Sequence, residues 1–370
     1  MPERRLRVGI DAHMVGGHET GNETYVKGLV DGLDAIDEDV DVIVFHAGAP
    51  WLAPGPRVRF ERLLASNPYT RLGAELPARS LAERLDVLHM TYGTPVWSAA
   101  PLVVTIHDIC YATNPEWFSQ RDLRVLRAMV PRSIKQAAHV ITDSEDARRQ
   151  IINHYAVPPS KITAIPIGPG AGAQPITAEE AGQELRGLGL DPDRPYVLTV
   201  GNIQPRKNLV RLVEAFNVLV HGRGHDVDLV IVGPRHFRAE DIVSAAAPVA
   251  DRVHFTGYVT DRQLAACYRL SAVYVFPSLY EGFGLPAIEA MAHGTPIACS
   301  NAGSLPEVCG DAAVLFDPLS VESMVDAVDR ILVDAELRKR LITAAAARVG
   351  QFDWKRTAKE TLIVYRAVSR

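Results

Sequence analysis

Short runs rich in valine and isoleucine alternate, along the whole chain, with longer stretches whose apolar residues recur at helical spacing. Each run has the length of one buried strand, and each stretch is long enough for a crossover helix. This alternation is typical of βαβ units, which build a parallel sheet with helices on both faces. The strands are expected at residues 6–10, 40–45, 58–61, 87–90, 102–106, 139–142, 162–165, 196–200, 229–232, 253–255, 272–276, 296–299 and 313–316.

The length of the chain points to two domains, because 370 residues exceed the size at which one hydrophobic core usually stops growing. A segment rich in Gly and Pro, residues 167–175, cannot sustain a helix or a strand and is interpreted as a linker. We therefore predict an N-terminal domain over residues 1–170 and a C-terminal domain over residues 171–352. Helical spacing from Trp354 onward predicts that residues 353–370 form a terminal helix that packs back on the N-terminal domain.

Composition argues against several other classes of protein. Hydrophobic residues make up 47% and charged residues 22%, as in ordinary globular domains. A net charge of -5 gives no bulk attraction to nucleic acid or to anionic lipid. The four cysteines lack the spacing of a zinc site or a disulfide framework, which favours a reducing compartment. The sequence has no signal-peptide pattern and no apolar run long enough for a membrane span, so we expect a cytoplasmic protein.

The strongest candidate site is a turn with the sequence S-L-Y-E-G-F-G-L-P-A-I-E-A-M at residues 278–291. It follows a strand and opens a helix, so the free N–H groups of the first helical turn predict an anion site. Its two glycines let the backbone approach a phosphate or a sugar closely. Glu281 and Glu289 lie on either side, where one carboxylate can reach a sugar and the other a ribose. The alternative is an ordinary strand-to-helix turn with two solvated glutamates.

A second motif, V-G-N-I-Q-P-R-K-N-L at residues 200–209, also follows a strand and opens a helix. The apolar face of that helix places Arg206 and Lys207 in its opening turn. Two cations there oppose the helix dipole, so their placement is better explained by a bound polyanion such as a pyrophosphate. The alternative is an exposed basic pair without a ligand.

Two further candidates belong to the N-terminal half. His107 follows the carboxyl end of a strand, where ligands gather in open α/β sheets, although such a histidine is often structural, with Asp108 capping a turn. The Gly-rich loop at residues 14–22 does not have the glycine spacing of a dinucleotide-binding fingerprint. We interpret this loop as a flexible wall of a cleft.

Together these motifs resemble glycosyltransferase family 4, the retaining GT-B enzymes that include many bacterial mannosyl- and glucosyltransferases. The resemblance covers nearly the whole chain, and the order of its motifs is highly specific. It implies an α/β protein of the GT-B class, in which two Rossmann-like doubly wound domains face a central cleft. The segments that carry it are G-N-x-x-P-R-K-N at 201–208, V-G-P at 232–234, F-T-G-Y-V at 255–259, E-G-F-G-L-P-A-I-E at 281–289, H-D at 107–108, I-T-D-S at 141–144 and F-D-W at 352–354.

The resemblance also implies roles for individual residues. Arg206 and Lys207 would neutralise the donor diphosphate, and Glu281 would bind the hydroxyls of the transferred sugar. Glu289 would hold the ribose, and His107 would reach the donor sugar from the opposite domain. The predicted catalytic residues are therefore His107, Arg206, Lys207 and Glu281. The predicted donor-binding residues are Gly16, Gly17, Gly201, Tyr258, Val259, Asp261, Gly282, Phe283, Gly284, Leu285 and Glu289.

The predicted reaction is transfer of a hexose, with retention, from a nucleoside diphosphate sugar to a glycan or lipid-linked acceptor. Side-chain cations and helix N–H groups would stabilise the leaving diphosphate, so neither a metal nor another cofactor is expected. We favour GDP-mannose over UDP-glucose, because Asp261 would accept hydrogen bonds from the N1–H and amine of guanine. The alternative is that Thr260 or Asp261 caps a helix.

Two other functions and one further contact stay open at this point. A sugar-nucleotide 2-epimerase on the same fold would bind the donor and need no acceptor. A non-catalytic sugar-nucleotide-binding protein would keep the fold but lose some of the charged contacts, which are all present here. No nucleic-acid partner is expected. The basic stretch 121–135 would allow peripheral contact with a membrane, but Pro131 interrupts its helical pattern and favours a solvated helix face.

Overall fold

The computed structural model describes residues 5–17, 20–53, 55–235 and 240–369. The chain divides into two compact units. The first unit comprises Met1–Thr113, Gln120–Gly168 and Asp353–Arg370, and the second comprises Asn114–Ser119 and Pro169–Phe352. The end of the chain therefore belongs to the first unit, and a short segment from the first half belongs to the second.

The first unit contains a parallel sheet with the strand order β3-β2-β1-β4-β5-β6-β7. Val, Ile and Leu side chains bury most of its strands, and β4 is buried at every position, as expected for a sheet covered on both faces. Its strands are β1 Leu6–Ala12, β2 Val40–His46, β3 Val58–Arg62, β4 Val87–Thr91, β5 Leu102–Thr105, β6 His139–Thr142 and β7 Ile162–Ala164.

The second unit contains a parallel sheet with the order β10-β9-β8-β11-β12-β13. Successive side chains of its strands point to opposite faces, so Val197 belongs to one hydrophobic core while Tyr196 and Leu198 belong to the other. Its strands are β8 Tyr196–Val200, β9 Asp228–Val232, β10 Val253–Gly257, β11 Val273–Phe276, β12 Ile297–Ser300 and β13 Ala313–Phe316. The two predicted doubly wound sheets are thus confirmed, with small shifts at the strand ends.

Helices connect the strands and cover the sheets. In the first unit they are α1 Thr20–Ala35, α2 Pro68–Thr70, α3 Leu76–Ala82, α4 Cys110–Thr113, α5 Gln120–Gln136 and α6 Glu145–Tyr155. In the second unit they are α7 Ala178–Gly187, α8 Leu209–Asn217, α9 Glu240–Ala245, α10 Asp261–Leu270, α11 Leu285–Ala292, α12 Leu305–Cys309, α13 Val321–Val333 and α14 Ala335–Val349. The last helix, α15 Trp354–Val368, returns to the first unit.

Helix α15 packs on α1 through Trp354. A Cβ atom placed on Gly28 would lie 2.1 Å from the Trp354 indole, and one on Gly168 would lie 2.5 Å from it. Because these glycines have no side chains, the Trp354 ring fits between α1 and the segment that follows β7. The hydroxyl of Tyr365, further along α15, contacts buried His89 Nδ1 at 2.5 Å. These contacts fix the end of the chain to the first unit.

Helix α5 runs without a break through Pro131, so the expectation that this proline interrupts the helix was wrong. Proline removes one backbone N–H donor, and the helix nevertheless continues past it to Gln136. Within the described ranges, no helix is both long and apolar enough to cross a membrane.

Candidate active site

The candidate site of the second unit lies where the strand order reverses. β8 and β11 are neighbours in the sheet, and the following strands, β9 and β12, lie on opposite sides of this pair. Ligands of open α/β sheets bind beyond the carboxyl ends of the strands at such a switch point. Residues 201–208 leave β8 here, and residues 277–284 leave β11. The two loops are joined, because the backbone N–H of Leu279 donates to the carbonyl of Arg206 at 2.9 Å.

Arg206 and Lys207 lie in a short 3-10 turn, Pro205–Lys207, and not in the opening turn of a helix. Asn208 follows in the left-handed conformation, with φ 55° and ψ 31°, and α8 begins only at Leu209. Asparagine adopts this conformation more easily than most residues, which allows the chain to turn between the two helical segments. The prediction that these cations oppose the dipole of a helix they open was therefore wrong.

Arg206 and Lys207 both form ion pairs with Glu281. Arg206 Nη1 lies 2.6 Å from Glu281 Oε2, and Lys207 Nζ donates to Glu281 Oε1 at 2.7 Å. Burial alone would raise the pKa of Glu281, but the charges of Arg206 and Lys207 outweigh burial and lower it to about 2. The carboxylate is therefore ionised at neutral pH. It partners both cations in the free protein, and the three side chains together keep one net positive charge.

Gly201 gives Lys207 its space, and Gly233 lets the backbone of Gly201 approach. Gly201 has φ +139°, and a Cβ atom there would lie 2.9 Å from Lys207 Cε. Gly233, at the end of β9, has φ +138°, and its Cβ atom would lie 2.2 Å from the carbonyl oxygen of Gly201. Gly201, predicted to bind the donor, is thus placed directly beside the Lys207 side chain.

Asn208 was not predicted as a site residue, although it ends the second motif. Its side-chain amide is buried and donates to the carbonyls of Pro277 at 3.1 Å and Pro318 at 2.7 Å. Because Pro277 begins the loop that carries Glu281, Asn208 holds the two loops of the site together. The only signal in the sequence is its position directly after the basic pair.

The turn after β12 is a second support that sequence reasoning missed. The backbone N–H and the hydroxyl of Ser304 donate to the carbonyl of Glu281 at 3.2 and 3.0 Å. Gly303 has φ +60°, and a Cβ atom there would lie 2.7 Å from the same carbonyl oxygen. These residues fix the backbone of Glu281. Only a glycine shortly after a strand end could have marked this turn in the sequence.

Helix α11 begins beside this cluster. Gly284 is the N-cap residue with φ 125°, Pro286 lies in the first turn, and no described side chain caps the helix. Gly282 and Phe283 are buried in the preceding loop, and Leu285 is half-buried. The positive end of the helix dipole therefore follows the loop that carries Glu281, and this loop is joined to the loop of Arg206 and Lys207.

Glu289 lies one turn further along α11 and is buried. The Tyr268 hydroxyl donates to its Oε2 at 3.0 Å, and the backbone N–H of Gly172 also donates to the carboxyl group. Burial raises the pKa of Glu289 to about 7, although both hydrogen bonds lower it. Near neutral pH this group can therefore exchange between a form that only accepts hydrogen bonds and one that also donates.

The predicted donor-binding residues Tyr258, Val259 and Asp261 follow β10. Tyr258 is exposed, and Val259 is buried against the core. Thr260 is the N-cap of α10, where its hydroxyl accepts from the N–H of Gln263 at 3.2 Å and its own N–H donates to the Gln263 side chain at 3.0 Å. Asp261 is exposed in the first turn of α10. The capping role therefore belongs to Thr260, and Asp261 is not required for it.

The candidate residues of the first unit lie at the carboxyl edge of its own sheet. His107 follows β5, and its Nδ1 lies 2.6 Å from Asp143 Oδ2, which follows β6. Gly16 and Gly17 are exposed after β1, with Gly16 at φ +89°. His18 and Glu19, in the middle of the predicted loop 14–22, lie outside the described residues, and α1 already begins at Thr20. The predicted loop is therefore shorter than its sequence suggested.

The charges of the second-unit site favour an anionic ligand. One net positive charge, the positive end of a helix dipole and close backbone at glycines are the features that bind phosphate groups in proteins. Across residues 5–17, 20–53, 55–235 and 240–369, no group of three or more His, Cys, Asp or Glu side chains is placed to hold a metal ion.

Two family models match the chain. The model described as "Glycosyltransferase Family 4" matches residues 20–168, and the model described as "Glycosyl transferases group 1" matches residues 182–348. Among the similar proteins, the O-antigen chain mannosyltransferase B of Escherichia coli is 30% identical over 267 residues, which cover 71% of this chain and 70% of the relative.

Solved structures show the same fold. A sucrose-phosphate synthase from Thermosynechococcus elongatus superposes with a TM-score of 0.75 at 23% identity, over 98% of this chain and 99% of the other. Anabaena Alr3699/HepE in complex with UDP-glucose gives a TM-score of 0.72 at 18% identity, over 98% of this chain and 100% of the other. With its two Rossmann-like sheets and both matching models, the chain belongs to the family 4 glycosyltransferases of the GT-B fold.

Proposed function

We propose that this glycosyltransferase transfers a hexose, with retention, from a nucleoside diphosphate sugar to a hydroxyl of a glycan or lipid-linked acceptor. One observation carries the proposal: Arg206 and Lys207 flank Glu281 at the strand-order switch point, beside the uncapped start of α11. The leaving diphosphate gains negative charge as the glycosidic bond breaks. Cations and N–H dipoles that are already in place stabilise such charge without reorganisation.

The contacts support the following roles. The diphosphate binds at Arg206, Lys207 and the N–H groups of Gly284 and Leu285. Glu281, held ionised by the two cations, accepts hydrogen bonds from the sugar's hydroxyls. We do not assign Glu281 as a nucleophile, because a carboxylate already paired with two cations has little excess charge to attack a carbon. The leaving phosphate instead takes the proton of the acceptor hydroxyl on the same face of the sugar.

Glu289 is proposed to bind the ribose. Its carboxyl group is buried beside the Tyr268 hydroxyl, and in its deprotonated form it can accept hydrogen bonds from the two ribose hydroxyls. His107, in the first unit, is proposed as a further catalytic residue that binds a sugar hydroxyl through Nε2.

The direct test is formation of product. Purified enzyme would be incubated with GDP-mannose or UDP-glucose and a panel of acceptors, and the products would be identified by mass spectrometry. We expect the acceptor to gain the mass of one hexose on a hydroxyl. NMR should show that the product keeps the anomeric configuration of the donor. An inverted product would overturn the retaining mechanism, and consumption of the donor with no glycosylated acceptor would argue against the acceptor class.

We propose GDP-mannose as the donor. The similar E. coli protein is named a mannosyltransferase, and Asp261 is exposed at the start of α10 while Thr260 provides the cap. A carboxylate at this position can accept from both the N1–H and the exocyclic amine of guanine, whereas uracil has no such pair of adjacent donors.

We therefore expect GDP to raise the melting temperature more than UDP does. A ligand at roughly 100 times its dissociation constant adds about 2.7 kcal/mol to the stability of the folded state, which a thermal shift assay detects readily. The Asp261→Asn variant should lose the preference for GDP, while the control Asp251→Asn, also an exposed carboxylate of the second unit, should keep it. Stronger stabilisation by UDP would show that the guanine assignment is wrong while leaving the transferase function intact.

Activity is expected to persist in a strong chelator, because the groups proposed to stabilise the diphosphate are side-chain cations and helix N–H groups. The measurement is the initial rate before and after dialysis against EDTA. Readdition of magnesium or manganese should leave the rate unchanged. Loss of activity that either ion restores would contradict metal independence.

A lipid-linked acceptor would bring the enzyme to a membrane surface. The continuous helix α5 exposes Arg121, Arg124, Arg127 and Lys135 beside the apolar side chain of Val125. These charges support peripheral contact with anionic lipid at the cytoplasmic face. We propose this membrane contact for the case in which the acceptor is lipid-linked.

A further inference from the structure

The imidazole of His107 is enclosed by residues from three neighbouring elements. β4, β5 and β6 are adjacent in the sheet, and Tyr92, His107 and Asp143 follow their carboxyl ends. The Tyr92 ring lies edge-on to the His107 ring at 5.6 Å between centroids, and Tyr25 of α1 lies edge-on at 4.8 Å. Asp143 Oδ2 lies 2.6 Å from His107 Nδ1. The ring therefore has little freedom to rotate.

Tyr92 adopts a strained conformation to reach this place. Its φ is +57°, which is unusual for a bulky residue and costs on the order of 1–3 kcal/mol. Its backbone N–H donates to the carbonyl of Thr105 at 3.0 Å, which ties this turn to the end of β5. Strain of this kind persists where the surrounding structure requires it, and here it places an aromatic wall against His107.

One end of the imidazole is left for a ligand. His107 Nε2 is buried and has no hydrogen-bond partner among the described residues, and the same holds for Asp143 Oδ1. A buried polar atom without a partner costs about 1–3 kcal/mol, so such atoms call for an explanation. Because Asp143 occupies the Nδ1 side, Nε2 is the nitrogen of His107 that a bound hydroxyl can satisfy.

We propose that Asp143 is a positioning residue, which accepts the Nδ1–H of His107 and thereby presents Nε2 to a hydroxyl of the bound carbohydrate. The inference rests on the proposed function, because it assumes that His107 binds a sugar. With Nδ1 protonated, the neutral ring offers its Nε2 lone pair to a hydroxyl hydrogen, and the protonated ring offers an N–H to a hydroxyl oxygen. The protonation state therefore decides the direction of the bond.

The charged groups around the ring support this role. Burial alone would lower the pKa of His107, but the charge and hydrogen bond of Asp143, helped by the charge of Asp108, outweigh it and raise the pKa. Three aromatic neighbours among the described residues, Tyr25, Tyr92 and His89, are neutral near pH 7. Burial raises the pKa of Tyr25 and of Tyr92, and it lowers the pKa of His89 to about 3. Asp143 is thus the group that controls the proton of His107.

The test compares Asp143→Asn and Asp143→Ala with a matched control, Asp108→Asn. Asp108 is the adjacent carboxylate, and it accepts the backbone N–H of Cys110 at 3.0 Å, a bond that an asparagine can also accept. We expect Asp143→Ala to lower kcat/KM on the order of 10²-fold, since a misplacement of a catalytic group by about 1 Å can slow a reaction by that factor. Asp143→Asn should cost about tenfold, because a neutral oxygen still accepts the Nδ1–H but more weakly. Asp108→Asn removes a smaller contribution to the charge around His107 and keeps the bond to Cys110, so it should lower kcat/KM less than Asp143→Asn does.

The His107→Ala background separates positioning from folding. If Asp143 acts through the imidazole, Asp143→Asn in the His107→Ala background should cause no further loss. An equal loss in both backgrounds would assign Asp143 a merely structural role and overturn the proposal. Asp143→Asn is the deciding variant if Asp143→Ala does not fold, because it is close to isosteric.

A second readout needs no substrate. Imidazole nitrogen shifts, assigned with His107→Ala, report the tautomer and the pKa of His107 in the free protein by NMR. We expect the Nδ1–H tautomer in the wild type and a lower pKa in Asp143→Asn, with a smaller change in Asp108→Asn. A wild-type ring protonated only at Nε2 in its neutral form would overturn the proposal. Because this result is independent of turnover, it also distinguishes failure of the Asp143 inference from failure of the proposed transferase reaction.

Discussion

Lys207→Met should lower kcat/KM by roughly 30- to 900-fold, because it removes one of the two cations proposed to meet the leaving diphosphate. Loss of one such charge-assisted contact costs about 2–4 kcal/mol in the barrier. Methionine keeps most of the volume of the side chain beside Gly201 and the ring of Phe276. The loss of stability should be smaller, since Arg206 remains 2.6 Å from Glu281 and continues to balance the buried carboxylate.

The measurement is steady-state kinetics alongside chemical unfolding. Lys339→Met is the matched control, because Lys339 is an exposed cation of α14 in the same unit and its replacement changes the net charge equally. Arg206→Ala should resemble Lys207→Met, with a large loss of turnover. Turnover close to the wild-type value in both site variants would exclude these cations from stabilising the leaving group.

The acid stability of Lys207→Met gives an independent check on the ion pairs of Glu281. In the wild type the pKa of Glu281 is lowered from 4.5 to about 2, so its contribution to stability is present above pH 4.5 and is lost as the pH falls through about 2. Removing the charge of Lys207 raises the pKa of Glu281 in the folded state. The Lys207→Met protein should therefore lose stability at a higher pH than the wild type in an acid titration.

The strands could be predicted because parallel strands covered on both faces leave continuous apolar runs in the sequence. The candidate residues could also be found singly, since Arg206, Lys207 and Glu281 belong to motifs that follow a strand and open a helix. Their contact could not, because Lys207 and Glu281 are 74 residues apart in the chain and meet only when β8 and β11 pair. For the same reason the sequence alone does not reveal Glu281 as the partner of the basic pair.

Local backbone conformation is the second feature that could not be predicted from the sequence. The helical spacing from Leu209 onward extends backward in sequence through Arg206, and only the left-handed Asn208 separates the 3-10 turn from α8. The turn after β12 leaves only a weak signal in the sequence, the glycine at position 303. Ser304, which holds the backbone of Glu281, is one polar residue in a loop like many others. Such residues are recognised by what they contact and not by their spacing.

Gly303→Ala is expected to destabilise the second unit and to displace Glu281. Alanine at φ +60° costs about 1–2 kcal/mol, because its Cβ atom approaches the following carbonyl in the left-handed region. The same Cβ atom would lie 2.7 Å from the carbonyl oxygen and 2.9 Å from the nitrogen of Glu281, and backbone atoms cannot yield as a flexible side chain does. Relieving this overlap costs a further 1–3 kcal/mol or so, as in other overpacked sites.

The matched control is Gly187→Ala, at the end of α7, where an added Cβ atom would meet nothing within 4 Å. Denaturant unfolding should show a lower midpoint for Gly303→Ala and little change for Gly187→Ala. Under conditions in which Gly303→Ala is folded, its kcat/KM should still be reduced, because a shifted Glu281 backbone separates the carboxylate from Arg206 and Lys207. Wild-type stability together with wild-type turnover would mean that the turn after β12 does not hold Glu281, and that the paired cations alone keep this carboxylate in place.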